Sequence, residues 1–230
     1  MSARDDILDG IRVALKRGAL PAGAQTGLAE RVSAHRRNTV PARAAALDHA
    51  AQVNLFVQMA EEVQTTVARL ASDKDVPAEV ARYLAAENLP AELVMAPDPA
   101  LDAIPWESRP LLHIRRGRAE PGDAVSLNSC LAAIAETGTL MLVSGPDTPT
   151  TLNFLPDTEI VVVRAGQVVA VYEDGWDLLR GLSGLPRTVN LVTGPSRTGD
   201  IEQRIQLGAH GPRRLHVVLI EEEARAPAAV

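Results

Sequence analysis

Residues 191–202 read Leu-Val-Thr-Gly-Pro-Ser-Arg-Thr-Gly-Asp-Ile-Glu, and residues 208–216 read Gly-Ala-His-Gly-Pro-Arg-Arg-Leu-His. An apolar run at 189–192 precedes the Gly-Pro-Ser turn, and another follows at 215–220. With a short helix between them, these segments predict one βαβ unit. Ligands of open α/β sheets bind at loops that leave the carboxyl ends of strands, so a polar cleft is expected at the carboxyl rim of the sheet.

The loop after residue 192 carries side chains that could bind a ligand. The predicted ligand-binding residues in it are Gly194, Ser196, Arg197, Thr198 and Asp200. Free N–H groups at the start of a helix, with Arg197 beside them, suit a small carboxylate or phosphate. The Gly-Lys-Ser/Thr ending of a P-loop is absent. The alternative is a purely structural role, with Ser196 or Thr198 capping the helix and Asp200 pairing with Arg204.

His210 lies in a tight Gly-Ala-His-Gly-Pro corner that leads into the last apolar run. A histidine held in such a corner is a candidate acid/base catalyst or ligand donor. Gly211 is added to the predicted ligand-binding residues because it belongs to the same corner. The alternative is that His210 only stabilises the turn through a hydrogen bond.

A second segment, Ala-Glu-Thr-Gly-Thr at 135–139, follows an apolar repeat. Leu127, Cys130, Leu131 and Ile134 have helical spacing, which predicts a helix over 124–136 that buries Cys130 and ends at a left-handed Gly138. A carboxylate at that end would oppose the helix dipole at about 0.3–1 kcal/mol. Glu136 is therefore a candidate catalytic residue, and Thr137, Gly138 and Thr139 are candidate ligand contacts. Alternatively, Glu136 fixes the turn by a backbone hydrogen bond.

These segments resemble the LUD-domain family of lactate utilization protein C. The resemblance covers about residues 90–221 and is carried by Gly-Pro-Ser-x-Thr-x-Asp-Ile-Glu, Gly-x-His-Gly-Pro and residues 135–139. It implies a sheet flanked by helices, similar to the NagB/RpiA/CoA-transferase-like group, with a helical N-terminal extension. In that group a glutamate can act as a covalent nucleophile, and by fold analogy this role would fall to Glu136.

The chain departs from the family over residues 149–159. Relatives often have an arginine and a serine there, before a Leu-Pro-x-x-His segment. Here a threonine replaces the arginine, and Thr158 or Glu159 stands in place of the histidine. If those groups bind an anionic ligand in relatives, the ligand or its affinity differs in this chain.

Composition excludes several classes of protein and site. The net charge of −6 argues against a nucleic-acid surface, and the one cysteine cannot form an intrachain disulfide or a Cys₄ iron–sulfur cluster. No His/Asp/Glu cluster has metal-ligand spacing, so neither a metal nor another cofactor is predicted. Without a signal-peptide region or a long apolar run, the chain is expected to be cytoplasmic and to lack a membrane span.

Three regions are predicted along the chain. Residues 1–43 form a helix at 2–17 and a long loop over 18–43, in which a short helix at 28–36 is an open alternative. The loop either wraps a partner in a homodimer or serves as a linker. Residues 44–221 form the α/β domain, beginning with a long helix over 44–72. A continuous apolar run at 160–163 predicts a strand covered on both faces. Alternating strands and helices after residue 90 predict helices on both faces of the sheet. Residues 222–230 form a frayed tail.

Three functions are consistent with these patterns. The resemblance implies an accessory component of the system that oxidises L-lactate to pyruvate, working with companion iron–sulfur proteins. The second is a CoA-transferase-like or formyltetrahydrofolate cyclo-ligase-like enzyme, with Glu136 as nucleophile or the Gly194 loop as a phosphate cradle. The third is a ligand-binding or scaffold module without catalysis.

Overall fold

The structure, a computed structural model, describes residues 2–18, 20–37, 40–198 and 206–221. Two compact units divide the chain, residues 1–39 and residues 40–230. The first contains α1 (Ala3–Ala14), capped reciprocally by Ser2 and Asp5, and α2 (Ala22–Ala34). The long loop predicted for 18–43 is therefore wrong over 22–34, and the short helix considered at 28–36 begins earlier, at residue 22, and ends at 34. Alanine, glutamine, leucine and arginine favour a helix there strongly enough to outweigh two glycines.

The second unit alternates helices and strands. Its helices are α3 (Ala42–Ala45), α4 (His49–Glu62), α5 (Val76–Ala86), α6 (Pro99–Asp102) and α7 (Tyr172–Arg180). Its strands are β1 (Thr66–Leu70), β2 (Glu92–Met95), β3 (His113–Arg116), β4 (Val125–Ser129), β5 (Ala132–Ile134), β6 (Thr139–Val143), β7 (Thr158–Arg164), β8 (Val168–Val169), β9 (Val189–Val192), β10 (Arg197–Thr198), β11 (Gln206–Leu207) and β12 (Arg214–Ile220).

The central sheet has six strands in the order β1-β12-β7-β4-β2-β3, and all neighbouring strands are parallel. Strands β7 and β12 lie inside it and are nearly continuous runs of Val, Ile and Leu, as expected of strands buried on both faces. The predicted α/β class and the strands predicted at 160–163 and 215–220 are confirmed.

A second sheet of four strands has the order β8-β5-β6-β9. Strand β6 pairs antiparallel with β5 and with β9, and β8 pairs parallel with β5. The βαβ unit predicted for 189–220 is therefore wrong, because β9 belongs to this sheet and β12 to the six-stranded one. Because β9 and β12 belong to different sheets, the loop after β9 lies between the two sheets.

The core consists of layers. On one face of the six-stranded sheet, Ile160 and Val218 cluster with Val80 and Leu84 of α5. On the other face, Val161 and Val217 cluster with Phe56 of α4 and Leu140 of β6. A smaller cluster on the far side of the four-stranded sheet joins Ile134 and Met141 to Trp176 of α7. The six-stranded sheet is thus covered on both faces, by α5 on one side and by α4 with the second sheet on the other.

The long helix predicted for 44–72 is wrong at residues 46–48, which separate α3 from α4, and beyond residue 62. Helix α4 ends there, and Gln64 adopts a left-handed backbone conformation with φ of 70°. Thr66 and Val67 then enter β1, beside β12. Their β-branched side chains suit a strand, and their helical spacing from Leu55 and Met59 is coincidental.

The helix predicted for 124–136 is also wrong, because this segment forms β4 and β5. Both strands are almost completely buried. In β4, apolar and polar residues alternate as in a strand (Val125, Ser126, Leu127, Asn128), whereas β5 is apolar throughout and shows no alternation. A short apolar run of this kind cannot be assigned to a helix or a strand from periodicity alone. The prediction that Cys130 is buried is confirmed.

Candidate functional site

A cavity of about 330 Å³ lies between the two sheets at the loop after β9. It is called the cleft below. Among the predicted residues, its lining includes Gly194, Ser196, Arg197, His210 and Gly211. It also includes Asn153, just before β7, and Glu159, the second residue of β7. The cleft therefore lies at the carboxyl end of β9 but at the amino ends of β7 and β12, so the predicted carboxyl-rim location is wrong for the six-stranded sheet.

Backbone hydrogen bonds join the two signature segments around Ser196. The amide of Ser196 donates to the carbonyl of Pro212 over 2.8 Å, and the amide of Gly208 donates to the carbonyl of Ser196 over 2.9 Å. The Ser196 hydroxyl accepts from the His210 amide over 3.2 Å. Strands β10 and β11 pair antiparallel in the same region. The segments thus form one polar corner, with the backbone of His210 fixed by Ser196.

No helix begins at residues 194–198, so the predicted anion site at a helix N-terminus is wrong for these residues. Arg197 and Thr198 form β10, and the Thr198 side chain is buried outside the cleft lining. Asp200, the Arg204 pairing and the helix predicted after residue 199 lie outside the described residues. Within residues 194–198, only side chains and isolated amides are available to hold an anion.

The end of α4 forms the support behind the loop. A guanidinium nitrogen of Arg197 (Nη2) donates to the carbonyl of Val63, directly after α4, over 2.9 Å. Gly194 has φ of +75°, and a Cβ built on it would lie 2.5 Å from the same carbonyl oxygen. The hydrogen bond from Arg197 places its positive charge at the C-terminus of α4, where the helix dipole favours a cation. Gly194 and Arg197 are therefore both positioned by α4.

The same helix supports the turn at 135–139. Gly138 has φ of +65°, and an added Cβ would lie 2.3 Å from the amide nitrogen of Ala60. The left-handed conformation was predicted, but it connects the antiparallel strands β5 and β6 rather than ending a helix. The glycines of both signature segments are therefore required by close backbone approach to one helix.

Thr137 and Thr139 belong to a hydroxyl cluster next to the cleft. The hydroxyl oxygen of Thr139 lies 2.7 Å from that of Thr137, 2.7 Å from that of Thr193 and 2.9 Å from that of Tyr172. Thr193 lines the cleft, whereas Thr137, Gly138 and Thr139 do not. The cluster thus connects the 135–139 turn to the loop after β9, and ligand contact by its members stays a prediction.

The Glu136 carboxylate accepts a hydrogen bond from the amide of Tyr172, the first residue of α7, over 3.0 Å. The expectation that it opposes a helix dipole is wrong, because no helix precedes it and its charge lies at the favourable end of α7. Glu136 does not line the cleft. The hydrogen bond to the Tyr172 amide agrees with the alternative interpretation, in which Glu136 fixes the turn. A catalytic role for Glu136 stays a prediction.

Replacing Glu136 separates these two roles. Glu136→Ala should lower the free energy of unfolding by about 1 kcal/mol, because the Tyr172 amide loses its acceptor. Glu136→Gln keeps an acceptor oxygen and should unfold close to wild type in urea. If Glu136→Gln instead abolished function with an unchanged urea midpoint, Glu136 would be catalytic.

Glu159 lines the cleft but was not among the predicted site residues, although it is one of the two residues that stand in place of the family histidine. Its side chain is fully buried, and neither carboxyl oxygen has a hydrogen-bond partner. Burial raises its pKa to about 8, and the nearby Asn128 side chain counteracts part of this rise. One signal was available, since an acid directly before the apolar run 160–163 occupies a strand predicted to be buried.

Polar side chains surround Glu159 on the same side of the sheet. Ser126 of β4 lies directly opposite it in the register, and its hydroxyl donates to the carbonyl of Leu152 over 2.7 Å. The Asn128 amide group donates to the side-chain oxygen of Asn153 over 2.6 Å. These bonds build a buried polar floor below the cleft.

His216 lies on the opposite face of the six-stranded sheet from Glu159, since Leu215 pairs with Glu159 and His216 with Ile160. Its ring stacks on Tyr83 of α5 with centroids 4.0 Å apart, and its Nδ1 lies 2.8 Å from the Thr66 hydroxyl. Burial lowers its pKa to about 4, and the nearby Glu79 carboxylate counteracts part of this shift. His216 therefore packs neutrally in the core, away from the cleft.

The described residues offer neither a metal centre nor a membrane-spanning helix. Within residues 2–18, 20–37, 40–198 and 206–221, no group of three or more His, Cys, Asp or Glu side chains could hold a metal ion. Across the same ranges, no helix combines the length and apolar character needed to cross a bilayer.

Comparison with known proteins adds family information. The model of the LUD domain matches residues 123–220. A lactate utilization protein C from Deinococcus radiodurans is 34% identical over 159 residues, which are 65% of this chain and 70% of that protein. An uncharacterized Neisseria meningitidis protein, NMB1437, is 37% identical over 98 residues. A Bacillus subtilis lactate utilization protein C is 32% identical over 94 residues. The matched segments span only 41% and 39% of the latter two relatives.

A solved structure is similar as well. The crystal structure of a DUF162 family protein from Deinococcus radiodurans aligns with a TM-score of 0.58 at 25% identity. The alignment covers 76% of this chain and 99% of that one. The match to the LUD model includes β7, the loop after β9 and β12, so it covers the segments that line the cleft.

Proposed function

Because this chain belongs to the lactate utilization protein C family of LUD-domain proteins, we propose that it is a component of a lactate-utilization system that binds a small anionic ligand in the cleft. Its similarity over 159 residues to the Deinococcus lactate utilization protein C supports the first part. The second part rests on one observation: Ser196, Arg197 and His210 line one cavity with Glu159.

The cleft has the chemistry that an organic acid requires. Arg197 supplies a permanent positive charge, His210 an imidazole, and Ser196 a hydroxyl beside them. A volume of about 330 Å³ is typical of small-molecule pockets. L-lactate and pyruvate are the first candidates, because the family acts in lactate utilization, and inorganic phosphate is the competing small anion.

Electron transfer would belong to other proteins. The chain's one cysteine, Cys130, is buried, and burial raises its pKa to about 12. A single protonated thiol cannot ligate a Cys₄ cluster. Companion iron–sulfur proteins would therefore carry the electrons that the conversion of L-lactate to pyruvate releases, with this chain as a non-redox subunit.

Arg197→Ala tests the ligand site. Wild-type protein at a ligand concentration of 100 Kd should gain about 2.7 kcal/mol, which raises Tm by roughly 5–10 °C. Arg197→Ala should lose most of the shift caused by L-lactate, pyruvate or phosphate, because it removes the permanent charge of the cleft. Differential scanning fluorimetry measures this effect.

Arg213→Ala is the matched control, because Arg213 is exposed on the neighbouring segment and does not line the cleft. It should keep the full ligand-induced shift. A wild-type protein that no small anion stabilises would favour the scaffold function, in which the chain binds partner proteins only. Deletion of the gene, followed by growth on L-lactate as sole carbon source, tests the pathway assignment independently.

A further inference from the structure

We propose that Glu159, in its neutral form, is a ligand-binding residue that makes the cleft a receptor for an anion by donating a hydrogen bond from its carboxyl O–H to a ligand oxygen. This inference deepens the proposed function and rests on it. It identifies the ligand class as a small carboxylate with a second acceptor oxygen, such as a 2-hydroxy or 2-oxo acid. It also makes binding depend on a proton held by the protein.

The first support is the position of Glu159. The carboxyl group is fully buried at the floor of the cleft, yet it belongs to the cavity lining. Both oxygens lack a hydrogen-bond partner. Buried polar groups are nearly always paired, so a carboxyl left unpaired beside a cavity has capacity for a ligand.

The second support is that the neighbouring polar groups are already engaged. The Asn128 amide group donates to Asn153, and the side-chain oxygen of Asn128 accepts from the Ser129 amide over 3.1 Å. The Ser126 hydroxyl donates to the carbonyl of Leu152. None of these bonds includes a carboxyl oxygen of Glu159, and an amide N–H of Asn128 could only donate to it, so the O–H of the neutral acid is available to a molecule in the cleft.

The third support is the charge of the site. Among the residues that the structure describes, the titratable groups lining the cleft are Glu159, Arg197 and His210. No Lys, Arg or His of the described residues forms a salt bridge with Glu159, so ionisation there would leave a buried charge uncompensated. An ionised Glu159 would also cancel the charge of Arg197, whereas a neutral Glu159 leaves the cleft positive. Its pKa, raised to about 8 by burial, agrees with the neutral form.

A neutral carboxyl group is well suited to an anion. It offers one O–H donor, and a hydrogen bond from it to a carboxylate oxygen is charge-assisted and short. An acid with a 2-hydroxy or 2-oxo group presents acceptor oxygens at neighbouring carbons, one for Glu159 and the others toward Arg197. Deprotonation would turn the same interaction into repulsion between two anions.

Isothermal titration calorimetry with sodium L-lactate and sodium pyruvate between pH 7.5 and pH 9.5 tests the proposal. For wild-type protein, affinity should fall about tenfold per pH unit above pH 8 as Glu159 ionises. Glu159→Gln keeps a neutral donor and should bind with an affinity constant within about twofold over this range. Asp157→Asn, which removes an exposed carboxylate two residues away, should follow the wild-type profile.

Infrared spectroscopy of the ligand-free protein supplies a second measurement. A protonated carboxyl band should be present at pH 7 in wild type and missing in Glu159→Gln. Parallel pH profiles in the two proteins, or loss of binding in Glu159→Gln at pH 7.5, would overturn the role of Glu159 alone. Absence of binding by both proteins at every pH would instead remove the ligand site proposed for the family function, and this inference with it.

Discussion

Gly138→Ala is expected to lower the free energy of unfolding by about 3 kcal/mol or more. A left-handed conformation costs an L-residue roughly 1–2 kcal/mol, and overpacking in a well-packed core typically adds about 1–3 kcal/mol. Here the new methyl would lie 2.3 Å from the amide nitrogen of Ala60, which is backbone and cannot rotate away. The turn or the end of α4 must move, and urea denaturation measures the loss.

Gly194→Ala should behave similarly, because its methyl would lie 2.5 Å from the Val63 carbonyl oxygen at φ of +75°. Gly211→Ala is the matched control within the same signature. Its methyl would meet Ser196 at 3.6 Å and Phe154 at 3.7 Å, which are ordinary contacts, and its φ is not in the left-handed region. Equal losses in all three variants would show that packing against α4 is not the cause.

Glu159→Gln is expected to change how stability depends on pH. The pKa of Glu159 in the folded protein is about 8, above the ordinary value of 4.5. The folded state therefore holds the proton more tightly than the unfolded state. The contribution of Glu159 to the free energy of unfolding is complete below pH 4.5 and is lost as the pH rises toward 8. Wild type should lose about 1.4 kcal/mol per pH unit relative to Glu159→Gln across this window, or up to about 5 kcal/mol in total.

The measurement is urea denaturation of wild type, Glu159→Gln and Asp157→Asn at pH 5, 6, 7, 8 and 9. The difference between wild type and Glu159→Gln should grow from pH 5 to pH 8 and then stay constant. His216 ionises in both proteins and cancels in the difference, although its lowered pKa makes each protein less stable below pH 6.5. A difference that stays constant from pH 5 to pH 9 would mean that Glu159 does not titrate abnormally.

Local sequence patterns predicted an element correctly where a single constraint, such as burial on both faces or a left-handed backbone, determines the residue types. Continuous apolar runs identified β7 and β12, because interior strands of a parallel sheet are buried on both faces. The Gly-Pro-Ser and Gly-x-His-Gly-Pro segments identified the polar corner, and the structure joins them through Ser196 and His210. Gly138 was recognised as left-handed, because glycine adopts that conformation at little cost.

The same patterns gave wrong predictions where the spacing of the apolar residues fits both a helix and a strand. Residues 124–136 fit a helical repeat but form β4 and β5, and Thr66–Leu70 fit a continued helix but form β1. In both segments, the strands gain hydrogen bonds from partners far away in the chain, such as β12 and β7. Periodicity counts which side chains are apolar, and it contains no information about those partners.

The sequence by itself determined the α/β class, the family, the central strands and the glycine-rich turns, because these follow from apolar runs and from residues with unusual backbone freedom. Only the tertiary structure decided that Glu136 faces the start of α7 and that Glu159 is buried without a partner. The reason is that the electrostatics of a carboxyl group depend on everything packed around it. Those neighbours come from strands and helices that are separate in sequence and meet only in the folded chain.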